Sequence, residues 1–148
     1  MPKDQRGFTL IELMVVIAII GILASLVIVA INSLRRDAYN RRVQSNVRQL
    51  RMLAESAFDI SGATYFNWST NNSVAPAVQA VKDDMAEIYN GDTTQLQIRD
   101  QATKGFCVSS PQHETTGLFF CTDASGVFRE VTSHCPPDDT DPMECPDS

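Results

Sequence analysis

A single acidic residue, Glu12, stands at the start of a long apolar stretch and raises the first chemical question about this chain. From Leu13 to Ile31, only Gly21 and Ser25 are not plainly apolar. A charge placed in hydrocarbon is costly, so such residues usually pair with another group and serve a function. We therefore expect Glu12 to have a partner.

Four cysteines form the second set of reactive side chains, and all lie in the C-terminal part of the chain: Cys107, Cys121, Cys135 and Cys145. A small exported domain has a limited core, which disulfides commonly supplement. A zinc site that combines these cysteines with His113 or His134 is the alternative. The spacing contains no Cys-x-x-Cys pair, so we favour disulfides, for which four cysteines allow three connectivities.

Catalytic chemistry has little support in the sequence. It contains no nucleophile elbow, no phosphate-binding glycine loop and no His-Glu-x-x-His motif. We therefore expect no enzymatic activity, no cofactor and no metal centre. A calcium site among the C-terminal acids is an open alternative to a solvated acidic tail, although their spacing is not that of an EF-hand. These acids are Asp138, Asp139, Asp141 and Glu144.

Charge divides the 148-residue chain into two parts within a total net charge of −6. Residues 1–61 hold eight Lys/Arg and five Asp/Glu, whereas residues 62–148 hold four and thirteen. Basic residues flank the apolar stretch on both sides, so the positive-inside rule gives no clear orientation. The acidic second part argues against nucleic-acid binding through bulk charge.

The residues around the start of the apolar stretch resemble the processing signature of a known family. A short polar leader, MPKDQRG, is followed by FTLIELM, and the pattern continues through VVIAIIG into ILASLVI. The apolar stretch is longer than the core of a secretory signal peptide, and no small-x-small cleavage site ends it. This combination resembles the prepilin processing signature of type IV pilins and pseudopilins.

The resemblance implies a specific maturation. A membrane-embedded aspartyl peptidase would cut between Gly7 and Phe8, and the new amine of Phe8 would be methylated. The cut lies on the cytoplasmic side, so the apolar helix would stay as an inner-membrane anchor and later become filament core. Residues 13–31 would span ~28 Å as a helix, which matches a bilayer core.

The resemblance also implies a role for Glu12, which would be the fifth residue of the mature chain. It would pair with the N-terminal amine of a neighbouring subunit. A paired buried charge loses much of its desolvation penalty and fixes the register of docking. One feature departs from the family, because many pilins carry a proline within the apolar helix and the stretch LVIVAIN around Val29 has none. The shape of this helix in a filament therefore stays open.

The sequence predicts one helix from about Phe8 to Ser61. Beyond Asn32, apolar residues recur at spacings of three and four, and charged residues fill the other faces. The apolar positions are Val43, Val47, Leu50, Ala54 and Ala57. Gly62 is a suitable stop. We divide the chain into a leader (1–7), a transmembrane or filament-core half (8–31), an amphipathic half (32–61) and a globular head (62–148).

An α+β head follows, in which the long N-terminal helix packs on a small antiparallel β-sheet, as in the pilin fold. A second helix is predicted over residues 76–90, with one apolar face at Val78, Val81, Met85 and Ile88. Strands are predicted over residues 94–99, 106–110, 117–122 and 126–132, with a tight turn at DASG, residues 123–126. The aromatic residues Tyr65, Phe66 and Trp68 are expected to pack onto the long helix.

Within this expected fold we favour a disulfide between Cys107 and Cys121, because it would join neighbouring strands. The other disulfide would then be Cys135–Cys145, which would close the C-terminal tail. This second bond would resemble the C-terminal disulfide loop of many pilins.

The expected function is that of a structural subunit. The resemblance implies a prepilin that is processed by prepilin peptidase and polymerised by a dedicated ATPase machine into a type IV pilus, a helical homo-oligomer. A pseudopilin of a type II secretion system is one alternative. A membrane-anchored binding or enzymatic domain that shares only the N-terminal motif is another. The chain would be a single-pass inner-membrane protein first, and a surface filament or periplasmic pseudopilus afterwards.

The first prediction concerns processing at the Gly7–Phe8 junction. The mature protein should begin at Phe8 with a methylated amine, which N-terminal mass spectrometry of assembled filaments would detect. Gly7→Ala should be cut more readily than Gly7→Val, because a β-branched residue crowds the scissile backbone. Filaments whose subunits retain residues 1–7 would contradict the assignment.

Overall fold

The long helix predicted from the sequence is present as α1, Leu10–Ile60, in this computed structural model, which describes residues 8–136 and 143–147. The chain forms two compact units, residues 1–37 and residues 38–148. In the first unit, the apolar side chains of α1 that the structure describes are all exposed. By length and composition, α1 is long and apolar enough to cross a membrane.

The C-terminal end of α1 is set by backbone conformation. Gly62 and Ala63 both adopt positive φ, at 78° and 65°. The N–H of Ala63 donates to the carbonyl of Phe58 at 3.1 Å, which closes the last turn. Glycine adopts this conformation without steric cost, so Gly62 ends the helix as predicted.

The core of the second unit is built on one face of α1, at the five positions that the spacing predicted. Val43, Val47, Leu50, Ala54 and Ala57 have no solvent exposure. The second helix, α2, spans Ala75–Ile88 and buries the apolar face predicted for it. These two helix faces share one cluster with the aromatic and aliphatic residues of the sheet.

The sheet has four antiparallel strands in the order β1-β2-β3-β4. Their bounds are β1 Gln97–Arg99, β2 Cys107–Pro111, β3 Phe119–Asp123 and β4 Phe128–Val131. The predicted strand 94–99 is shorter than expected, because Thr93–Gln95 form a 3-10 turn. The carboxylate of Asp92 caps that turn by accepting the N–H of Thr94 at 2.9 Å.

The predicted turn between the last two strands is confirmed. The carboxylate of Asp123 accepts the N–H of Ser125 at 3.0 Å, and Gly126 adopts a φ of 94°. The guanidinium of Arg51 donates to the carbonyl of Gly126 at 3.1 Å, so α1 holds the turn.

In the aromatic loop after α1, Tyr65 packs onto the long helix as predicted, with its ring centroid 4.5 Å from that of Phe58, whereas Phe66 is exposed. Tyr65 and Trp68 lie against the ring of Phe106, with ring centroids 5.0 and 5.7 Å away. Phe66 is 48% exposed. The N–H of Trp68 donates to the carbonyl of Tyr65, and this four-residue turn directs the first and last side chains inward. Burial, followed by the hydrogen bond to Glu55, raises the pKa of Tyr65 to about 12.

The favoured disulfide pairing is wrong. The bonds are Cys107–Cys135 and Cys121–Cys145, so each strand cysteine is joined to the C-terminal segment. In the register of β2 and β3, Cys107 lies opposite Asp123, and Cys121 lies opposite Ser109. Cys107 and Cys121 are therefore diagonal neighbours, and diagonal positions are further apart than directly opposite ones.

A polar clamp joins α1 to α2 at the edge of the core. The guanidinium of Arg42 donates to both carboxylate oxygens of Asp84 and, at 2.8 Å, to Glu87. The amide of Asn46 also donates to Asp84. The hydrogen bonds from Arg42 hold the pKa of Asp84 below its usual value.

The second prediction concerns this clamp. The lowered pKa of Asp84 means that the clamp stabilises the head above the unfolded pKa of ~3.9, and that this contribution is lost as pH falls through the folded pKa. Asp84→Asn should lower the free energy of unfolding by about 1 kcal/mol at pH 7, since both partners are partly exposed. The loss should shrink below pH ~4. Urea unfolding followed by fluorescence of the single tryptophan, Trp68, measures this.

Asp83→Asn is the matched control for this measurement. Asp83 is exposed and accepts a hydrogen bond only from Gln79 on its own helix, among the described residues. The control removes the same charge one position away and should change the stability little. An equal loss in both variants, or a loss at Asp84 that does not depend on pH, would show that the clamp does not act as described.

Candidate functional site

The candidate site is the N-terminal end of α1, where the sequence placed the processing junction and Glu12. Phe8 is 79% exposed and, with Thr9, precedes the helix, which begins at Leu10. Gly7 lies outside the described residues, so cleavage at the junction stays a prediction. An exposed, non-helical Phe8 is nevertheless what an enzyme needs in order to reach the bond before it.

Glu12 closes a reciprocal cap on the first turn of α1. Its Oε2 accepts the N–H of Thr9 at 2.9 Å and the hydroxyl of Thr9 at 2.7 Å. In return, the N–H of Glu12 donates to the hydroxyl of Thr9 at 3.3 Å. This arrangement is a capping box, in which two residues three positions apart satisfy each other's polar groups.

The capping box gives Glu12 a partner that the sequence analysis missed. The signal was present, because Thr9 and Glu12 fit the Ser/Thr-x-x-Glu pattern directly before an apolar run. Pairing of Glu12 with the amine of a neighbouring subunit requires a second chain and stays a prediction. The cap shows that the carboxylate is also satisfied within a single chain.

Gly21 and Ser25, the two residues of the apolar stretch that are not plainly apolar, add neither bulk nor an unpaired hydroxyl to the surface of α1. A side chain added at Gly21 would meet no atom within 4 Å. The hydroxyl of Ser25 donates to the carbonyl of Ile22 at 2.7 Å, so it needs no other partner. Such a surface suits both lipid and the close approach of another helix.

The residues of the zinc alternative are engaged elsewhere. All four cysteines are in disulfides, which lack the thiolates that bind metals. His134 Nδ1 lies 3.0 Å from the hydroxyl of Ser109, and burial lowers the pKa of His134. The ring of His113 lies 4.5 Å from that of Tyr39, and its backbone N–H donates to Asn40.

The calcium alternative falls largely outside the described residues. Asp138, Asp139 and Asp141 are not described, and only Glu144 of the four acids is. Glu144 is exposed. A calcium site at this tail therefore stays a hypothesis from the sequence.

The third prediction concerns the cap. Thr9→Val removes the hydroxyl at nearly constant side-chain volume and should destabilise the first turn of α1 by about 1 kcal/mol. Amide hydrogen exchange at Glu12 and Leu13 should then quicken by roughly fivefold, as measured by NMR on the full chain in detergent micelles. Thr9→Ser keeps the hydroxyl and should exchange like the parent chain. Unchanged exchange in Thr9→Val would show that the cap does not hold this turn.

Comparison with known proteins finds similarity that includes this N-terminal site. Residues 2–31 match the family described as "Prokaryotic N-terminal methylation motif". Type IV major fimbrial protein FimA of Dichelobacter nodosus is 39% identical over 81 residues, which are 52% of this chain and 51% of FimA. A fimbrial protein of Pseudomonas aeruginosa is 49% identical over 55 residues, which are 37% of this chain and 36% of that protein.

A second group of relatives belongs to a secretion system. Type II secretion system core protein G of Dickeya chrysanthemi is 30% identical over 112 residues, which are 76% of this chain and 64% of that protein. The chain thus spans 36% to 64% of the length of these three relatives. No solved structure matches the chain. In its methylation motif and over the aligned residues, the chain is similar both to type IV fimbrial proteins and to core protein G of type II secretion systems.

Proposed function

We propose that this chain is a structural subunit that is made as a prepilin and polymerised into a type IV pilus. Prepilin peptidase cleaves it between Gly7 and Phe8, and the new amine of Phe8 is methylated. The observation that carries this proposal is the methylation motif over residues 2–31, together with the relatives named as type IV fimbrial proteins.

The exposure of the apolar half of α1 supports the proposal. Large apolar side chains from Leu10 to Leu34 are 41–75% exposed where the structure describes them. A surface of this kind is stable only when lipid or other protein covers it. Lipid of the inner membrane covers it before assembly, and neighbouring subunits cover it in the filament.

The geometry of Glu12 suits a second partner. Both hydrogen bonds from Thr9 reach Oε2, and within residues 8–136 and 143–147 no donor reaches Oε1. The open oxygen can accept the methylated amine of a neighbouring subunit while Thr9 holds the other. The cap then fixes the direction of the carboxylate before docking.

A pseudopilin of a type II secretion system is the second candidate. The alignment with core protein G covers 76% of this chain, against 52% for the alignment with FimA. The two candidates share the processing and docking steps and differ in the filament. Electron microscopy of intact cells separates them, because extended surface pili that contain this chain favour the pilus subunit.

The proposal implies partners and a location. The chain has the inner membrane, the peptidase and methylase, and the assembly machinery as successive partners, and other copies of itself in the filament. The head has a structural role in this proposal and no catalytic one.

The fourth prediction concerns docking by Glu12. Glu12→Val leaves the Gly7–Phe8 junction intact, so the chain should still be cleaved and should stay in the membrane. Filament growth should fail, because the amine of each neighbour loses its partner, at a cost of about 3–5 kcal/mol per subunit. Glu12→Asp should be milder, and Glu12→Gln should fall between the two. The measurement is the number of filaments per cell at matched subunit levels.

Thr9→Val is the matched control for the Glu12 series. It removes the hydroxyl of the cap but leaves the carboxylate, so filaments should still form, at a reduced number. Normal filament numbers in Glu12→Val would contradict the docking role. Loss of cleavage in Glu12→Val would assign the residue to recognition by the peptidase instead.

A further inference from the structure

The half of α1 that lies in the second unit carries a second stripe of side chains, on the side opposite to its buried face. Arg41, Arg48, Met52, Glu55 and Asp59 follow one another at spacings of seven, four, three and four residues. At 3.6 residues per turn, these spacings keep the five side chains within about 60° of one another around the helix. Glu55 is half-buried and the other four are exposed. We call these five residues the outer stripe.

The outer stripe is basic at its N-terminal end and acidic at its C-terminal end. Arg41 and Arg48 come first, Met52 lies in the middle, and Glu55 and Asp59 follow. Over residues 8–136 and 143–147, the ion pairs of the structure all lie outside this stripe. Arg48 and Asp59 are ~16 Å apart along the helix, so they cannot pair within one chain. Both ends of the stripe therefore present charges to the surroundings of the molecule.

Asp59 occupies a position that is unfavourable for the helix itself. It lies in the last turn of α1, which ends at Ile60 and contains no basic residue. A negative charge near the C-terminus of a helix opposes the helix dipole. In the described part of the chain, no cation pairs with Asp59. The fold of one chain therefore does not account for this charge.

Arg48 is held in a position from which it can bind a carboxylate. Its guanidinium carbon lies 4.3 Å from the centroid of the Phe128 ring. A guanidinium that stacks on a ring by its face keeps the N–H groups of its edge available as donors. A groove between α1 and β4 opens at the same place, and its walls include Met52 and Thr122. A carboxylate of another molecule can therefore reach Arg48 while Phe128 stays in contact with it.

A second copy of this chain carries the complementary charges. Copies that are anchored in one membrane by the same N-terminal segment present α1 in the same direction, so two docked helices run parallel. Without displacement along the axis, like charges would meet, Arg48 against Arg48 and Asp59 against Asp59. A displacement of seven to eleven residues, about 10–16 Å, places Arg48 of one copy beside Glu55 and Asp59 of the next.

We propose that neighbouring subunits dock through the outer stripe, with Arg48 of one subunit paired to the acidic end, Glu55 and Asp59, of the other. The contact joins two different ends of the same surface, so each subunit keeps a free basic end and a free acidic end. Such a heterologous contact repeats without closing and builds a filament. The inference rests on the proposed function, and it adds to the docking at Glu12 a contact along the amphipathic half of α1.

Charge reversal in cells tests the contact. Arg48→Asp and Asp59→Arg each bring like charges together, so each should lower the number of filaments per cell about tenfold at matched subunit levels. The double variant restores opposite charges and should recover most of the parent number. Because ~16 Å separates the two positions within one chain, recovery comes from contact between chains. Parent numbers in both single variants, or no recovery in the double variant, would overturn the proposal.

Asp59→Arg also separates assembly from folding. It places a base in the last turn of α1, where a positive charge is favourable, so the head should unfold at the same or a higher urea concentration than the parent. Trp68 fluorescence of the full chain in detergent micelles measures this. A variant that is at least as stable as the parent but forms fewer filaments has lost a contact that one chain does not contain. A loss of stability in Asp59→Arg would assign the filament defect to folding and refute the proposal.

Arg48→Asp combined with Asp83→Arg is the matched control for the double variant. Asp83 is an exposed acid on α2, outside the outer stripe, and this combination leaves the same net charge. It should not recover filaments, and equal recovery would show that only net charge matters, against the proposal. Absence of filaments from the parent would contradict the proposed function and this inference with it. Filaments in the parent that charge reversal leaves unchanged would contradict this inference alone.

Discussion

The helix α1 has to satisfy two different environments along one continuous backbone, and this constraint governs the rest of the chain. From Leu13 to Ile31 its side chains are apolar except at Gly21 and Ser25, and those that the structure describes are exposed. Within the second unit, one apolar face, formed by Val43, Val47, Leu50, Ala54 and Ala57, is fully buried, and charged residues occupy much of the remaining surface. A helix satisfies its own backbone hydrogen bonds in either environment, so it is the element that can serve in both. The two environments therefore require only different side chains on the same helix, and after Asn32 the sequence changes from uniformly apolar to amphipathic.

The head meets a different constraint, because it must hold its C-terminal segment with little regular structure. Residues 132–136 and 143–147 belong to no helix or strand. Cross-links therefore replace the backbone ladder, and each disulfide runs from a buried strand to this segment. Asp123 and Arg129 add hydrogen bonds at the same place. Asp123 also closes the β3–β4 turn, so one buried carboxylate joins the sheet, the turn and the tail.

How far the sequence predicts this structure depends on the range of the interaction involved. The ends of α1, the face of α2 and the β3–β4 turn follow from local patterns, and all three are confirmed. The disulfide pairing was missed because it depends on strand register, which places Cys107 opposite Asp123 rather than Cys121. The exposure of Phe66 was missed because the turn from Tyr65 to Trp68, which the spacing of apolar residues does not reveal, decides which aromatic side chains point inward. The cap formed by Thr9 and Glu12 could have been predicted from the local Thr-x-x-Glu pattern. The sequence analysis instead considered Glu12 only as a charge in an apolar stretch that needs a partner.

The cap at the N-terminus of α1 explains how the carboxylate of Glu12 is accommodated both in an isolated chain and in the proposed filament. A carboxylate at the first turn of a helix is favourable in itself, because it meets unsatisfied N–H groups and the positive end of the helix dipole. An isolated chain can therefore hold Glu12 without a partner subunit, and the charge is not simply a penalty that assembly relieves. In the proposed filament the gain from docking comes from the second oxygen, Oε1, and from the neighbour's amine, which would otherwise be buried alone. The selectivity of docking for cleaved over uncleaved chains would then come mostly from the amine. In an uncleaved chain the nitrogen of Phe8 is a neutral amide N–H, whereas in a cleaved chain it is a cationic amine.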